Sequence, residues 1–353
     1  MTDSAAVGIG IIGLGRIGQV HAQTLARRVN GARLVAVADL DSALAASTAE
    51  RFGTMAVASM AELVARDDVD GVVVCTPSGA HVAPVTLVAA SRKALFCEKP
   101  LASNLADHAH LAEVIDQASI ACMVGFNRRC DPEFIHAQRL IAEGAIGTPT
   151  YLLGRLRDAF PPPMWVRDPA IGGGLFIDML IHDFDSVRML LGQEVVKVFA
   201  QSANLVVDPG DIEGFADNAT VALEFDGGAL GQLHSAMHAS YGYDARTEVF
   251  GARGTIEIGS LRRFNVMVAA EGKGITHPHT FLPDGDISHG MLRWGTSYES
   301  EMAVFADVIR GVRLPPANHH DAVAAFRVAA AAQESQTRGQ PVAVAEMDER
   351  SVK

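Results

Sequence analysis

The chain has 353 residues, of which 49% are hydrophobic, with 33 Gly, 15 Pro and a formal net charge of −12. That length exceeds one ordinary core and suits two domains. The acidic balance, without a Lys/Arg run, argues against a nucleic acid or an anionic membrane as partner. No stretch reaches the roughly 18 uninterrupted apolar residues of a membrane span.

Four cysteines (Cys75, Cys97, Cys122, Cys130) show no C-x-x-C spacing and read as reduced thiols of a cytoplasmic protein. Residues 7 to 14 are apolar but follow no basic segment, so they read as a first strand and not as a signal peptide.

Val7 to Gly13 is the continuous apolar run of a doubly buried parallel strand. Gly13-Leu14-Gly15-Arg16-Ile17-Gly18 follows and opens a helical pattern through about Val29. In G-x-G-x-x-G spacing the first glycine permits the turn, the second lets a pyrophosphate approach, and the third lets helix pack on strand. A glycine-rich turn can be only a turn, but here a strand precedes it and a helix follows. A second strand, Leu34 to Ala38, ends in Asp39, 21 residues beyond Gly18. An acid there bonds the adenosine ribose of NAD and disfavours NADP.

The alternation continues with helices from Ser42 to Phe52 and from Met60, and a short strand near Met55 to Ala58. Strand Gly71 to Cys75, helix Ala80 to Ala90, strand Ala94 to Cys97, helix Asn104 to Ala118 and strand Ala121 to Gly125 complete it. Such alternation specifies a Rossmann-type, doubly wound parallel sheet with ligands at the carboxyl ends of its strands. At one end, Thr76-Pro77 leads to His81; at the next, Glu98-Lys99 precedes Pro100, whose peptide bond can be cis. These residues are expected to line the cofactor. A lysine is usually solvated, but Lys99 sits between an apolar strand and a proline. Arg128 and Arg129 end the last strand, and one of them is expected only to pair with an acid.

Helix Pro132 to Glu143 and a hinge at Gly147-Thr148-Pro149 precede strand Thr150 to Arg157 and the proline-rich loop Phe160 to Pro163. Gly172-Gly173-Gly174 then opens an apolar helix carrying Asp178, His182, Asp183 and Asp185. Asp178 and His182, four apart, share a helix face, where a carboxylate beside an imidazole suits proton transfer to or from an alcohol. The spacing also fits an ordinary surface pair or two metal ligands. Zinc needs three or four ligands, and only this pair and scattered histidines are found, so no metal is expected. His277, His279, His319 and His320 read as isolated surface residues.

Strands Val195 to Ala203, Asn218 to Phe225, Gly231 to His238, Arg246 to Gly251, Gly254 to Ile258 and Phe264 to Val268 predict a large, mainly antiparallel open sheet, with a hairpin at Asp226-Gly227-Gly228. Helices Tyr298 to Gly311 and Asp321 to Gln336 are expected to pack on the first domain. The fold class is thus α/β plus α+β. Residues 1–127 form the NAD-binding domain, 128–330 the substrate and oligomerisation domain, and 331–353 a segment returning to the first domain.

Together GLGRIG, Asp39, EKP at 98–100 and GGGxxxDxxxHDxD resemble the Gfo/Idh/MocA oxidoreductases over nearly the whole chain. Within that family RDAFPPP (157–163), GGLFIDMLIHDFD (173–185) and YGYDARTEVFGARGTIEI (241–258) look most like the myo-inositol 2-dehydrogenases. The resemblance implies Lys99, Asp178 and His182 as catalytic residues. Arg129 and Tyr241 or Tyr243 would contact substrate hydroxyls, with Asp158 and Asp185 as further contributors. Residues 164–167 and 280–295 would be pocket walls. The implied reaction is NAD-dependent oxidation of a cyclic polyol by a homotetramer or homodimer. The alternatives are a sugar dehydrogenase, a keto-sugar reductase, or a nucleotide-binding regulator without turnover.

Overall fold

The computed structural model describes residues 6–161, 163–168, 172–239, 242–259, 266–270, 274–279 and 290–347. It divides into two compact units. One runs to Cys130 and takes in Thr296–Val323; the other holds Asp131–Gly295 and the chain from Ala324.

The first unit alternates β1 (Val7–Ile12), α1 (Arg16–Arg27), β2 (Ala32–Ala38), α2 (Ser42–Phe52), β3 (Met55–Ala56), α3 (Met60–Ala65), β4 (Gly71–Val74), α4 (Val82–Ala90), β5 (Ala94–Cys97), α5 (Leu105–Ala118) and β6 (Cys122–Val124). The strand order is β3-β2-β1-β4-β5-β6 and every pairing is parallel. Every residue of β1 and β4 is buried, as strands covered by helices on both faces require. The order reverses between β1 and β4, which opens a ligand crevice at their carboxyl ends.

The second unit contains α6 (Pro132–Ala142), β7 (Pro149–Arg157), α7 (Met164–Arg167), α8 (Ile181–Leu191), β8 (Val195–Ala203), β9 (Asn218–Phe225), β10 (Leu230–Ala236), β11 (Asp244–Gly251), β12 (Gly254–Ile258), β13 (Val266–Ala270) and β14 (Gly274–His279). Helices α9 (Gly290–Ile309) and α10 (His319–Arg338) follow, then β15 (Val342–Ala343). Among the described residues the sheet runs β14-β13-β12-β11-β7-β10-β9-β8-β15. Its pairings are antiparallel except β7 with β10. Burial alternates along β9, β10 and β11, so one face packs inward and the other is open. The hairpin at Asp226-Gly227-Gly228 joins β9 to β10, as its turn residues predict. Strand β14 was not expected from the sequence; it carries His277 and His279, whose side chains lie outside the described residues.

Two differences from the sequence-based organisation have clear causes. Thr296–Val323, and not residues 331–353, rejoins the first unit. Met302, Phe305 and Ile309, three and four residues apart, give α9 an apolar stripe that packs with Ile9, Ile11 and Phe96. The last residues stay in the second unit, where β15 pairs with β8 and Ser335 Oγ accepts the Ala200 amide at 3.0 Å. Gly147–Pro149 is a turn inside the second unit and not a hinge. There Ile146 O accepts the Arg253 amide, and the Arg253 side chain lies against Gly147. No described helix is long and apolar enough to cross a membrane.

Candidate active site

The glycine loop is built for close approach. Gly13 has φ +90°, and a Cβ on Gly18 would stand 2.1 Å from the Gly13 carbonyl oxygen. Gly15 caps α1 without any side-chain bond to the helix, which leaves the N-terminal amides to an anion. Arg16 is exposed and Ile17 half-buried beside them. Asp39, at the end of β2, is fixed by accepting the Leu14 amide at 2.6 Å and the Asp41 amide at 2.9 Å. Beyond β4, the buried Thr76 Oγ1 has no hydrogen-bond partner among the described residues, and Pro77 is exposed. Amides for a pyrophosphate, a carboxylate for a ribose and an orphaned hydroxyl at the strand end fit a nicotinamide dinucleotide.

The neighbouring strand end carries Lys99, half-buried, before a cis Lys99–Pro100 bond. Its amide donates to Glu98 Oε2 at 3.2 Å. Glu98 Oε1 lies 2.7 Å from His21 Nε2, so this carboxylate is engaged within the protein by both oxygens. His81 is also interior, at 1% exposure. Its Nε2 faces Thr76 O at 2.7 Å, and its Nδ1 faces Pro100 O and Leu101 O at 3.0 and 3.2 Å. It therefore braces two strand-end loops. Burial lowers its pKa against the pull of those carbonyls.

In the second unit Gly173 and Gly174 both take positive φ and open a π-helical turn, Leu175–Met179, that runs on into α8. The sequence pattern reads as one regular helix; π turns of this kind are frequent at functional sites. From Leu175 to Arg188 every residue is buried except Asp178 and His182. An otherwise interior segment thus spends its accessible positions on one acid and one imidazole.

The remaining candidates fall in several places. The Arg129 guanidinium donates to Pro316 O at 2.8 Å and to Asp321 Oδ1 at 2.9 Å, so Arg129 pairs with an acid. Arg128 is buried at 3% exposure. Asp158 is half-buried at the end of β7, and its backbone is tied to Ala236 and Ala239. Tyr241 lies outside the described residues. Tyr243 is buried and accepts the Trp294 indole N–H at 2.7 Å. Asp185 is wholly buried, 3.8 Å from Arg188. Of the two pocket-wall segments, residues 280–289 lie outside the described residues, whereas 164–167 form α7.

His319 and His320 are not isolated: their Nε2 atoms lie 2.8 and 3.3 Å from Asp116 Oδ1. That residue is two hundred positions away in the chain, so the pair reads as unpartnered from sequence. The cysteines are free and buried, and burial pushes the Cys122 thiol up to about 12. Sequence reasoning missed His21 and Glu301. His21 is three residues past Gly18 on the inner face of α1, and Glu301 interrupts the apolar stripe of α9; both are wholly buried.

Comparison with known proteins agrees with this architecture. Residues 7–126 match the oxidoreductase family with an NAD-binding Rossmann fold, and residues 134–257 match the GFO/IDH/MocA C-terminal domain. The chain is 36% identical to myo-inositol 2-dehydrogenase of Thermotoga maritima, over 93% of this chain and 95% of that protein. It is 34% identical to scyllo-inositol 2-dehydrogenase (NAD(+)) of Bacillus subtilis, over 94% of each. The crystal structure of scyllo-inositol dehydrogenase from Lactobacillus casei with bound NAD(H) and scyllo-inositol superposes with a TM-score of 0.83 at 27% identity, covering 96% of this chain and 99% of that one. The chain belongs to the Gfo/Idh/MocA family and is an NAD-dependent oxidoreductase.

Proposed function

We propose that the chain oxidises a ring secondary alcohol of a cyclic polyol, an inositol: the alcohol and NAD+ give the ring ketone, NADH and one proton. We propose also that it self-associates, as a homodimer or homotetramer, through the open face of the second unit's sheet. The relatives named for myo- and scyllo-inositol, matched over nearly their full lengths, support the substrate class. The observation that carries the chemistry is the pairing of Asp178 and His182 as the accessible side chains of an otherwise buried helical segment.

The glycine loop, Asp39, Thr76 and Pro77 would hold NAD, which when bound supplies the hydride acceptor. His182 is the base: its imidazole takes the hydroxyl proton as the C–H hydride leaves. The Lys99 ammonium donates to the reacting oxygen and stabilises the negative charge that develops there. Asp178 orients His182 or binds a neighbouring hydroxyl. The reading requires Lys99 and His182 to act on the same alcohol oxygen.

Steady-state assays of the purified chain with inositols, aldoses and glycosides, each with NAD and NADP, test it. Inositols with NAD should give the highest kcat/KM. Lys99→Ala and His182→Ala should each lower kcat by about 10² to 10⁴ while NAD affinity stays nearly unchanged. Either variant near wild-type turnover removes that residue from the mechanism. Turnover of aldoses alone would make the chain a sugar dehydrogenase. Cofactor binding with no turnover at all would make it a regulator.

A further inference from the structure

The segment from Glu98 to Asn104 has no regular secondary structure, yet it is largely buried and carries Lys99. Three buried histidines from three helical elements grip it. His21, on α1, meets Glu98 Oε1 at 2.7 Å, and the other oxygen of that carboxylate takes the Lys99 amide. His81, at the start of α4, meets the Pro100 and Leu101 carbonyls. His108, on α5, accepts the Ala102 amide at 3.4 Å and meets Asn104 O at 2.8 Å. Lys99 is thus flanked on one side by a carboxylate and on the other by backbone carbonyls, each held by a buried imidazole.

The Glu98 end is the most constrained. His21 is wholly buried, edge-on to the rings of Phe96 and Tyr298 at 5.4 and 5.9 Å, so it has little freedom to turn. A carboxylate that already accepts the Lys99 amide accepts again from His21, which places the His21 proton on Nε2. Glu301 brings a carboxyl oxygen within 4.8 Å of both groups, and neither of its oxygens has a hydrogen-bond partner among the described residues. Burial and the neighbouring Glu98 raise the pKa of Glu301 well above its ordinary value. The Glu98 carboxylate thus holds both donors, with the Glu301 carboxyl beside it.

We infer that His21 and His81 are positioning residues for the reaction: they fix the Glu98–Leu101 backbone from its two sides and so set where the Lys99 ammonium stands. The inference rests on the proposed role of Lys99. Misplacement of a reacting group by about 1 Å can cost on the order of 10²-fold in rate, so loss of the clamp should appear in kcat. Gln places an amide nitrogen where the histidine carries Nε2, whereas Asn reaches only the position of Nδ1 and Leu offers no donor.

The test is inositol oxidation by His21→Leu, His21→Asn and His21→Gln, with Lys99→Ala alongside and NAD binding measured by calorimetry. His21→Leu and His21→Asn should lose about tenfold or more in kcat, with NAD affinity within about threefold of wild type. His21→Gln should recover to within about threefold. If His21→Leu does not fold, the contrast between Asn and Gln carries the same reading. His81→Leu should likewise lower kcat and spare NAD affinity; a weakened NAD affinity with unchanged kcat would make His81 a cofactor contact instead. Equal activity in the Asn and Gln variants overturns the clamp while leaving Lys99 catalytic. Full activity in Lys99→Ala overturns the underlying reading as well, and so separates the two failures. A crystal structure of His21→Asn with Lys99 unmoved would also refute the inference.

Discussion

His108 stands wholly inside the first unit. Its Nδ1–H donates to Asn104 O, and its Nε2 accepts the Ala102 amide. Only the neutral ring can fill both roles, because protonation would aim a second N–H at a donor. Burial, aided by nearby His81, lowers its pKa from 6.5 to about 4, against opposing pulls from the Asn104 carbonyl and Asp107. The unfolded chain takes up this proton near pH 6.5. Between that pH and about 4 the folded state therefore binds fewer protons, and its stability falls as the pH drops. Over the whole window the difference amounts to about 3 kcal/mol, of which about 2 kcal/mol is lost between pH 7 and 4.5.

Other groups titrate in the same range. His81 has the same sign, since burial lowers its pKa too. Glu301 has the opposite sign: its raised pKa lets the folded state keep a proton that the unfolded chain gives up above its ordinary value. The informative quantity is therefore wild type minus His108→Gln, in which shared contributions cancel. Gln can donate to Asn104 O and accept the Ala102 amide without titrating. Urea unfolding at pH 7 and pH 4.5 should show the wild type losing about 2 kcal/mol more than the variant. Parallel losses, within about 0.5 kcal/mol, would refute the assignment of His108 as a buried neutral group.

Gly18→Ala should abolish NAD binding or the fold, since the added methyl would stand 2.1 Å from the Gly13 carbonyl oxygen, a rigid backbone atom; calorimetric titration showing wild-type NAD affinity would disprove it. Self-association should depend on the open sheet face, where Leu230 and Phe250 are each 53% exposed, and exposed apolar surface of this kind marks contact sites. Phe250→Asp should shift the mass measured by light scattering toward the monomer, and an unchanged oligomer would point to another surface.

What could be read from the sequence was what is decided locally. β5 and β12 coincide with the expected strands because an apolar run or an alternating pattern bounded by turn residues needs little else to define it. The glycine loop, Asp39 at the end of β2 and the cis bond at Lys99–Pro100 were legible for the same reason. What escaped depends on partners distant in the chain. His21 and Glu98 are separated by 77 positions, and His319 and Asp116 by 203. A buried imidazole and an exposed one have the same letter, and only the fold supplies the difference. The return of α9 to the first unit was expected from its amphipathic pattern; what the pattern did not show is that most of α10 and the last residues stay in the second unit.

The same limit applied at the π turn. Asp178 and His182 read as two positions on a regular helix, whereas in the structure they are the accessible residues of a segment otherwise buried from Leu175 to Arg188. Spacing alone left a surface pair and an acid–base pair open, the metal reading having too few ligands. Burial adds what spacing lacks: among fourteen consecutive residues these two are the ones that reach solvent or a ligand. Asp178 lies within the π turn and His182 in the first turn of α8, so the change of helical pitch falls between the two and their relation cannot be taken from the regular i, i+4 geometry that the spacing suggests.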